Sequence, residues 1–146
     1  DPSAVDKNYR LCKEQDEILQ LPLIMDLTNP SPGTGWMNQE RMSFVERGPV
    51  DLVLALGLIQ HLAITNNVPF MQVADFLSRM GKWLIIEFAP KQDLQVQRLL
   101  APHEDSFEQY TRAQFEKALG EYFWMQEARE IKDSDRILYL LENLQN

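Results

Sequence analysis

Three polar side chains occupy positions in the sequence where they could take part in chemistry. Asp26 and Glu87 each stand at the end of an apolar run, and His61 follows a third such run. A carboxylate directly after an apolar strand either faces a cleft or has a buried partner, so Glu87 is a candidate site residue or one half of an ion pair. Asp26 can accept a hydrogen bond from an exocyclic amine such as that of adenine, or it can brace its own loop. His61 is a candidate general base because histidine titrates near neutral pH, although it can equally hydrogen-bond a neighbouring loop.

Other catalytic patterns are absent from the sequence. The Gly33-Thr34-Gly35 segment places Asn38 where a dinucleotide-binding loop needs its third glycine, so a flexible loop is the better interpretation. There is no HExxH, CxxC or carboxylate–histidine cluster, and Cys12 is the single cysteine, so we expect no metal site. Without a GxSxG elbow or a Walker sequence, a nucleophilic hydrolase is not expected either.

Composition limits the class of protein. The 146 residues are 45% hydrophobic and 25% charged, as in an ordinary globular domain, and the net charge is −8. A field of that sign opposes extended contacts with nucleic acid or anionic lipid. The apolar run Leu52–Ile59 is too short to span a bilayer. We therefore expect neither nucleic acid nor a membrane as a partner. The lone Cys12 and the lack of an apolar leader predict a cytoplasmic protein.

Helices and strands alternate along the predicted chain. Asp1-Pro2 caps a first helix, and Thr111-x-x-Gln114 is a capping box that opens a late one. The other predicted elements, in chain order, are a strand at 21–27, a loop at 28–35, a short helix within 37–46, a strand at 51–56, a helix at 70–80, a strand at 82–88, a short helix at 93–100 and strands at 124–131 and 136–141.

This order predicts one α/β domain over residues 1–146, with a mainly parallel sheet and helices on both faces. The last two strands have no helix between them and must meet antiparallel. The strand at 51–56 is apolar on both faces, as is typical of a central parallel strand. Ligands of open parallel sheets bind beyond the carboxyl ends of the strands. Those ends are Met25-Asp26-Leu27, Ala55-Leu56-Gly57 and Glu87-Phe88-Ala89-Pro90.

The segment DLVLALGLIQHL at 51–62 resembles the fourth-strand motif DlVlalxlxHHL of class I S-adenosylmethionine-dependent methyltransferases. The segments MDLTNPSPGTGW, WLIIEFAPKQD and RILYLLEN resemble a nodulation-protein-related branch of these enzymes. The family fold is a Rossmann-like, three-layer α/β/α sheet of seven strands with an antiparallel final strand. On that template the chain supplies the third to seventh strands of a partial methyltransferase domain.

The resemblance also implies what would precede this segment in an intact domain. The first family strand ends in an acidic, glycine-rich loop that meets the methionine end of the cofactor, and the second ends in an acid that holds the ribose. On the template, an N-terminal β-α-β unit would therefore lie before Asp1, and the ribose acid about two residues upstream of it. An exposed sheet edge left in this way predicts a homodimer or aggregation.

Carried over by residue, the resemblance assigns Asp26 and Leu27 to the adenine ring, the first through its carboxylate and the second through its backbone amide. It assigns Ala55, Leu56 and Gly57 to the segment beside the reactive sulfonium. The chain has Gln60-His61 where many relatives have two histidines.

The function implied is methyl transfer from S-adenosylmethionine to a small-molecule acceptor, with His61 or Glu87 as the candidate base. Two alternatives remain. One is a non-catalytic, methyltransferase-like interaction domain, and the other is a different α/β enzyme with another cofactor motif.

Overall fold

The computed structural model describes residues 1–102 and 107–145; His103 lies outside them. The chain forms two compact units, Asp1–Phe44 and Val45–Asn146. Within the described ranges, no helix is long and apolar enough to cross a membrane.

The first unit opens with helix α1, Pro2–Glu14, as the sequence predicts. Asp1 is its N-cap, and its Oδ1 accepts a hydrogen bond of 2.9 Å from the backbone amide of Ser3. Proline in the first turn costs no hydrogen bond, because that amide has no helical partner in any case. The cap and the proline therefore determine where α1 begins.

The strand predicted at 21–27 is wrong. This segment has no strand pairing, and its apolar side chains are exposed, with Leu21 75% and Ile24 67% accessible. Pro22 removes one backbone donor, and an apolar run becomes a strand only where another strand completes its hydrogen bonds. The short helix predicted within 37–46 is also replaced, by 3₁₀ turns at Trp36–Asn38 and Val45–Arg47.

The second unit contains the sheet and three helices of the described chain. Its elements follow the predicted order closely. They are β1 (Val50–Ala55), a π-helical turn (His61–Thr65), α2 (Phe70–Met80), β2 (Gly81–Phe88), α3 (Leu94–Leu100), α4 (Arg112–Gly120), β3 (Phe123–Glu130) and β4 (Ile137–Asn143). The predicted cap of α4 is present, because Thr111 Oγ1 accepts from the amide of Gln114. The structure adds a second cap, Asp93 at the start of α3.

The strands of the described residues form one four-stranded mixed sheet in the order β1-β2-β4-β3. Only β1 and β2 are parallel; β4 is antiparallel to both β2 and β3. The predicted antiparallel terminal pair is therefore confirmed, whereas the mainly parallel sheet is wrong for these residues. The reason is that β4 inserts between β2 and β3, which produces two antiparallel ladders from one strand.

One face of this sheet carries the main core. Alternate residues of β2 and β4 are buried, as expected for a sheet whose two faces differ. Five rings pack together on this face, with Phe88 and Phe115 stacked at a centroid distance of 4.7 Å. The other three are Phe70, Tyr110 and Tyr139.

Strand β1 lies at the edge of the sheet and not at its centre, which corrects the prediction of a doubly buried central strand. Its ladder partner in the described chain is β2, with Ala55 opposite Ile86. Leu52 and Leu54 remain 44% and 60% accessible. The apolar pattern of a central strand is present, but the described residues place a neighbour on one side of it alone.

Candidate functional site at the ends of the parallel strands

Gly57 forms the turn that follows β1. Its φ is +60°, in the left-handed region that glycine adopts without steric cost. A β-carbon placed on Gly57 would meet one non-adjacent heavy atom within 4 Å, the Nε2 of Gln60, at 3.9 Å. Ala55 is buried before the turn and Leu56 is exposed. The three residues assigned to the cofactor thus form a turn with open space on one side of the glycine.

Gln60 is the unusual residue of this turn. Its side chain is 1% accessible, and neither Nε2 nor Oε1 has a hydrogen-bond partner in the structure as described. Buried amides almost always have partners, because an unsatisfied donor or acceptor costs about 1–3 kcal/mol. Gln60 therefore has a donor and an acceptor that no other described residue satisfies.

His61 begins the π-helical turn His61–Thr65 directly after Gln60. Its backbone carbonyl accepts hydrogen bonds from both the backbone amide and the side chain of Asn66, at 3.1 and 2.9 Å. Its side chain is exposed, and the described residues show no hydrogen bond to the imidazole. Such π-turns occur frequently at functional sites. The geometry leaves His61 accessible as a base but without a residue that orients the ring.

Glu87, near the end of β2, lies in an ion-pair cluster. Its Oε1 accepts a hydrogen bond of 2.8 Å from Arg136 Nη1, while Arg136 Nε donates to Asp93 Oδ2 at 2.7 Å. A further bond of 3.1 Å joins Arg136 Nη2 to Asp93 Oδ1. The three side chains are 12–21% accessible. Glu87 is thus held by a guanidinium, and this favours bracing over proton abstraction.

Asp93 links this cluster to the start of α3. Its Oδ1 also accepts from the amides of Gln95 and Val96, at 2.8 and 3.3 Å. The hydrogen bond from Arg136 lowers the pKa of Asp93, more than burial raises it, and the two backbone amides lower it further. One carboxylate therefore caps a helix and joins the start of β4 to the loop after β2.

A cavity of about 660 Å³ lies between the start of α2 and α4. Its volume is in the range that holds a small organic molecule. Two of its lining residues place it beyond the carboxyl end of β2: the Tyr110 hydroxyl donates to the Ala89 carbonyl at 2.8 Å, and the ring of Phe70 packs on Phe88. Its lining includes Phe70, Met71, Phe107, Tyr110, Gln114 and Lys117.

In the first unit, Asp26 forms a local turn. Its Oδ1 accepts hydrogen bonds from the hydroxyl and the amide of Thr28, at 2.7 and 2.9 Å. The hydroxyl bond is the larger cause of a lowered pKa of Asp26. The side chain is exposed, and Leu27 is half-buried. Asp26 thus braces its own loop and keeps carboxylate lone pairs that face solvent.

Sequence reasoning did not find Gln60, Arg136 or Asp93 as site residues. Gln60 carried one signal, since it replaces a histidine of the motif it resembles. Arg136 carried none, because its partners lie 43 and 49 positions away along the chain. Such partners become visible only when β4 is paired with β2.

The chain is similar to nodulation protein NoeA of Rhizobium meliloti (strain 1021), with 39% identity over 142 residues. The match covers 97% of this chain and 30% of that protein. The chain is thus homologous to part of a nodulation protein and spans about a third of its length. No protein-family model matches the chain, and no solved structure matches it.

Proposed function

We propose that this chain is part of a domain that transfers a methyl group from S-adenosylmethionine to a small-molecule acceptor. The observation that supports this most is the β1–α2–β2 unit: two parallel strands end side by side, and the first continues into a glycine turn at φ +60°. A turn of this kind at the carboxyl end of a parallel strand is where open α/β sheets bind ligands. The antiparallel β4 agrees with the final strand that the sequence resemblance implies.

One geometric feature of these residues suits such a cofactor, namely the space beside Gly57. The space beside Gly57 would be filled by any side chain at that position, so a glycine there admits close approach to the backbone. The cofactor would supply an activated methyl carbon on sulfur. The protein would place the acceptor atom in line with it, mainly by proximity and orientation.

For the acceptor, we assign the cavity between α2 and α4. Its aromatic walls at Phe70 and Tyr110 suit an apolar body, and Lys117 supplies one cation to its lining. It lies at the end of the sheet where β2 stops, as the Tyr110–Ala89 hydrogen bond shows. Of the two candidate bases we assign His61, because its side chain is exposed whereas Glu87 is held by Arg136.

Titration calorimetry with S-adenosylhomocysteine tests the proposal on both the 146-residue chain and the full-length Rhizobium meliloti relative. We expect micromolar binding by the full-length protein and at least roughly tenfold weaker binding by the chain, since on the template it holds about half of the cofactor contacts. ATP serves as the control nucleotide. If S-adenosylhomocysteine binds neither protein better than ATP does, the proposal fails.

Asp26 provides a separate test in the first unit. Its exposed carboxylate is the residue that the resemblance assigns to the adenine amino group. Asp26→Ala should weaken S-adenosylhomocysteine binding roughly tenfold, the value of one charge-assisted hydrogen bond. Asp135→Ala, which removes another exposed acid, is the matched control. Equal affinities for the two variants would exclude Asp26 as a contact of the adenine.

The exposed residues of β1 favour a second proposal, that a second copy of the chain pairs with this edge. Leu52 and Leu54 are accessible, and edge strands with apolar side chains pair readily with other strands. Sedimentation at rising concentration should show a dimer, and Leu54→Lys should shift it to monomer. A monomer at all concentrations contradicts the proposal.

A further inference from the structure

Two observations coincide at the turn after β1. Gly57 leaves space on the side where a side chain would stand, and the nearest non-adjacent atom bordering that space is the Nε2 of Gln60. Gln60 is itself 1% accessible, with both polar atoms of its amide unpaired in the structure as described. A group that approaches Gly57 from this side therefore comes close to an unpartnered amide.

The amide is costly as it stands. A buried amide whose donor and acceptor lack partners makes the folded protein less stable than a leucine or methionine of similar volume at the same position would. A buried polar group without a partner is rare in natural proteins and needs an explanation, and a ligand that supplies the missing hydrogen bonds is one. The π-helical turn that begins at the next residue, His61, also marks this segment as irregular in a way that is frequent at functional sites.

We propose that Gly57 and Gln60 form a recognition niche for an uncharged ligand group that carries a donor and an acceptor side by side, such as a primary amide or a hydroxyl. The Nε2 of Gln60 donates to the acceptor of this group, and the Oε1 accepts from its donor.

The ligand group is uncharged because its surroundings are apolar. Between Leu56 and Ile64 the one ionisable side chain is His61, which is exposed and makes no hydrogen bond to Gln60 among the described residues. A charge buried here would lack a counter-ion, whereas a neutral donor–acceptor pair would satisfy both atoms of the amide. The assignment of the niche to the cofactor or the methyl acceptor rests on the proposed function. The assignment of the niche to neutral donor–acceptor groups in general does not depend on that function.

Side-chain amide signals in a ¹⁵N–¹H NMR spectrum of the 146-residue chain test the niche directly. The Gln60 NH₂ signals are assigned as those lost in Gln60→Leu. Acetamide, which presents one donor and one acceptor group, is titrated first and S-adenosylhomocysteine second. We expect acetamide to shift the Gln60 signals in a saturable way and to leave those of Gln72, an exposed glutamine, in place.

Filling the space beside the glycine should abolish this response. Gly57→Ala places a β-carbon in the niche, and Gly57→Asn does so with a residue that tolerates a positive φ. The matched control is Gly120→Ala, because a β-carbon there meets nothing within 4 Å. The Gln60 shift should disappear in both Gly57 variants and persist in the control. A response unchanged in a folded Gly57 variant would overturn the niche.

Gln60→Leu separates a ligand role from a structural one. If the amide is kept for a ligand, its replacement by leucine should raise the melting temperature by roughly 3–6 °C, because a buried amide without partners gives way to an apolar side chain. A lower melting temperature together with no acetamide response in the wild type would overturn the proposal, because the amide would then serve the fold.

The two ligands distinguish this inference from the proposed function. A Gln60 shift with acetamide, but none with S-adenosylhomocysteine at saturating concentration, supports the niche and excludes it as part of the cofactor site. A shift with both supports both. A shift with neither overturns the niche, whatever the cofactor binds elsewhere.

Discussion

The carboxyl ends of β1 and β2 are neighbours in one sheet, yet the polar side chains that follow them differ in whether they have hydrogen-bond partners. After β2, three charged side chains satisfy one another: Arg136 donates to Glu87 and in a two-bond arrangement to Asp93. After β1, a single neutral amide, that of Gln60, is buried with no partner among the described residues. The two strands run parallel with Ala55 opposite Ile86, so the contrast arises within one short stretch of sheet edge.

The difference shows how to separate bracing residues from binding residues when both lie where ligands are expected. A charge is too costly to bury alone, so its presence at a strand end first requires a partner, and here the partner comes from β4. Burying a neutral amide without partners costs less free energy, so a fold can keep such an amide until a ligand completes its hydrogen bonds. By this criterion Glu87 stabilises the fold, and Gln60 is the better marker of a site.

The largest effect is expected when the cation shared by the two carboxylates after β2 is removed. Arg136→Met leaves the carboxylates of Glu87 and Asp93 partly buried without the guanidinium that both contact. We expect a loss of about 2–4 kcal/mol in the free energy of unfolding, below the full value for a deeply buried pair because these groups keep some solvent contact. Urea denaturation at neutral pH measures it.

The matched control is Arg79→Met, which removes an exposed helical pair with Asp75. Such pairs contribute about 0.3–0.5 kcal/mol, so this variant should lie close to the wild type. Equal losses in the two variants would mean that the ion-pair cluster after β2 stabilises the fold no more than a surface ion pair does. The contrast between the two strand ends would then be wrong.

A smaller effect should appear as a function of pH. The hydrogen bond from Arg136 lowers the pKa of Asp93 below its unfolded value of 3.8. The stability due to this carboxylate is therefore complete above about pH 4 and is lost as the pH falls through the folded pKa. Asp93→Asn keeps a good helix N-cap but has no charge to titrate. Between pH 5 and pH 2 the wild type should lose more stability than the variant, by on the order of 1 kcal/mol.

Parallel acid titrations of the two proteins, followed by urea midpoints, check this prediction. Asp93→Asn should already be weaker at pH 7, and the two curves should converge toward pH 2. Parallel curves at all pH values would place the acid-sensitive stability in other carboxylates.

Much of the second unit could be predicted from local sequence signals. Thr111 and Asp93 are side chains that satisfy free helix amides, so the starts of α4 and α3 follow from residue type alone. The alternating and continuous apolar runs of β2 and β4 likewise require a sheet. What these signals cannot determine is the order of strands, because β2 and β4 pair across about 50 residues of chain.

The predictions that the sequence could not make correctly share one physical cause, which is that they depend on distant parts of the chain. The run at 21–27 has the composition of a buried strand, but composition does not provide the neighbouring strand that its backbone needs, and Pro22 lowers the number of bonds it could make. The candidate site shows the limit again. The place of Glu87 after an apolar strand predicts a site residue or an ion pair, and only the position of Arg136 decides between a catalytic and a bracing role.

The smallest effect concerns the hydrogen bond that ties Tyr110 to the end of β2. Its hydroxyl donates to the carbonyl of Ala89, a residue with no accessible surface. Tyr110→Phe leaves that carbonyl without this donor and should cost about 1 kcal/mol, whereas Tyr9→Phe, at an exposed position, should cost almost nothing. Burial, and next the charge of Asp93, raise the pKa of Tyr110, so the difference between the variants should not change up to pH 9. Thermal melts at pH 7 and pH 9 measure both points. A loss as large as that of Arg136→Met would show that the neutral contact, and not the ion-pair cluster, is the main brace of this strand end.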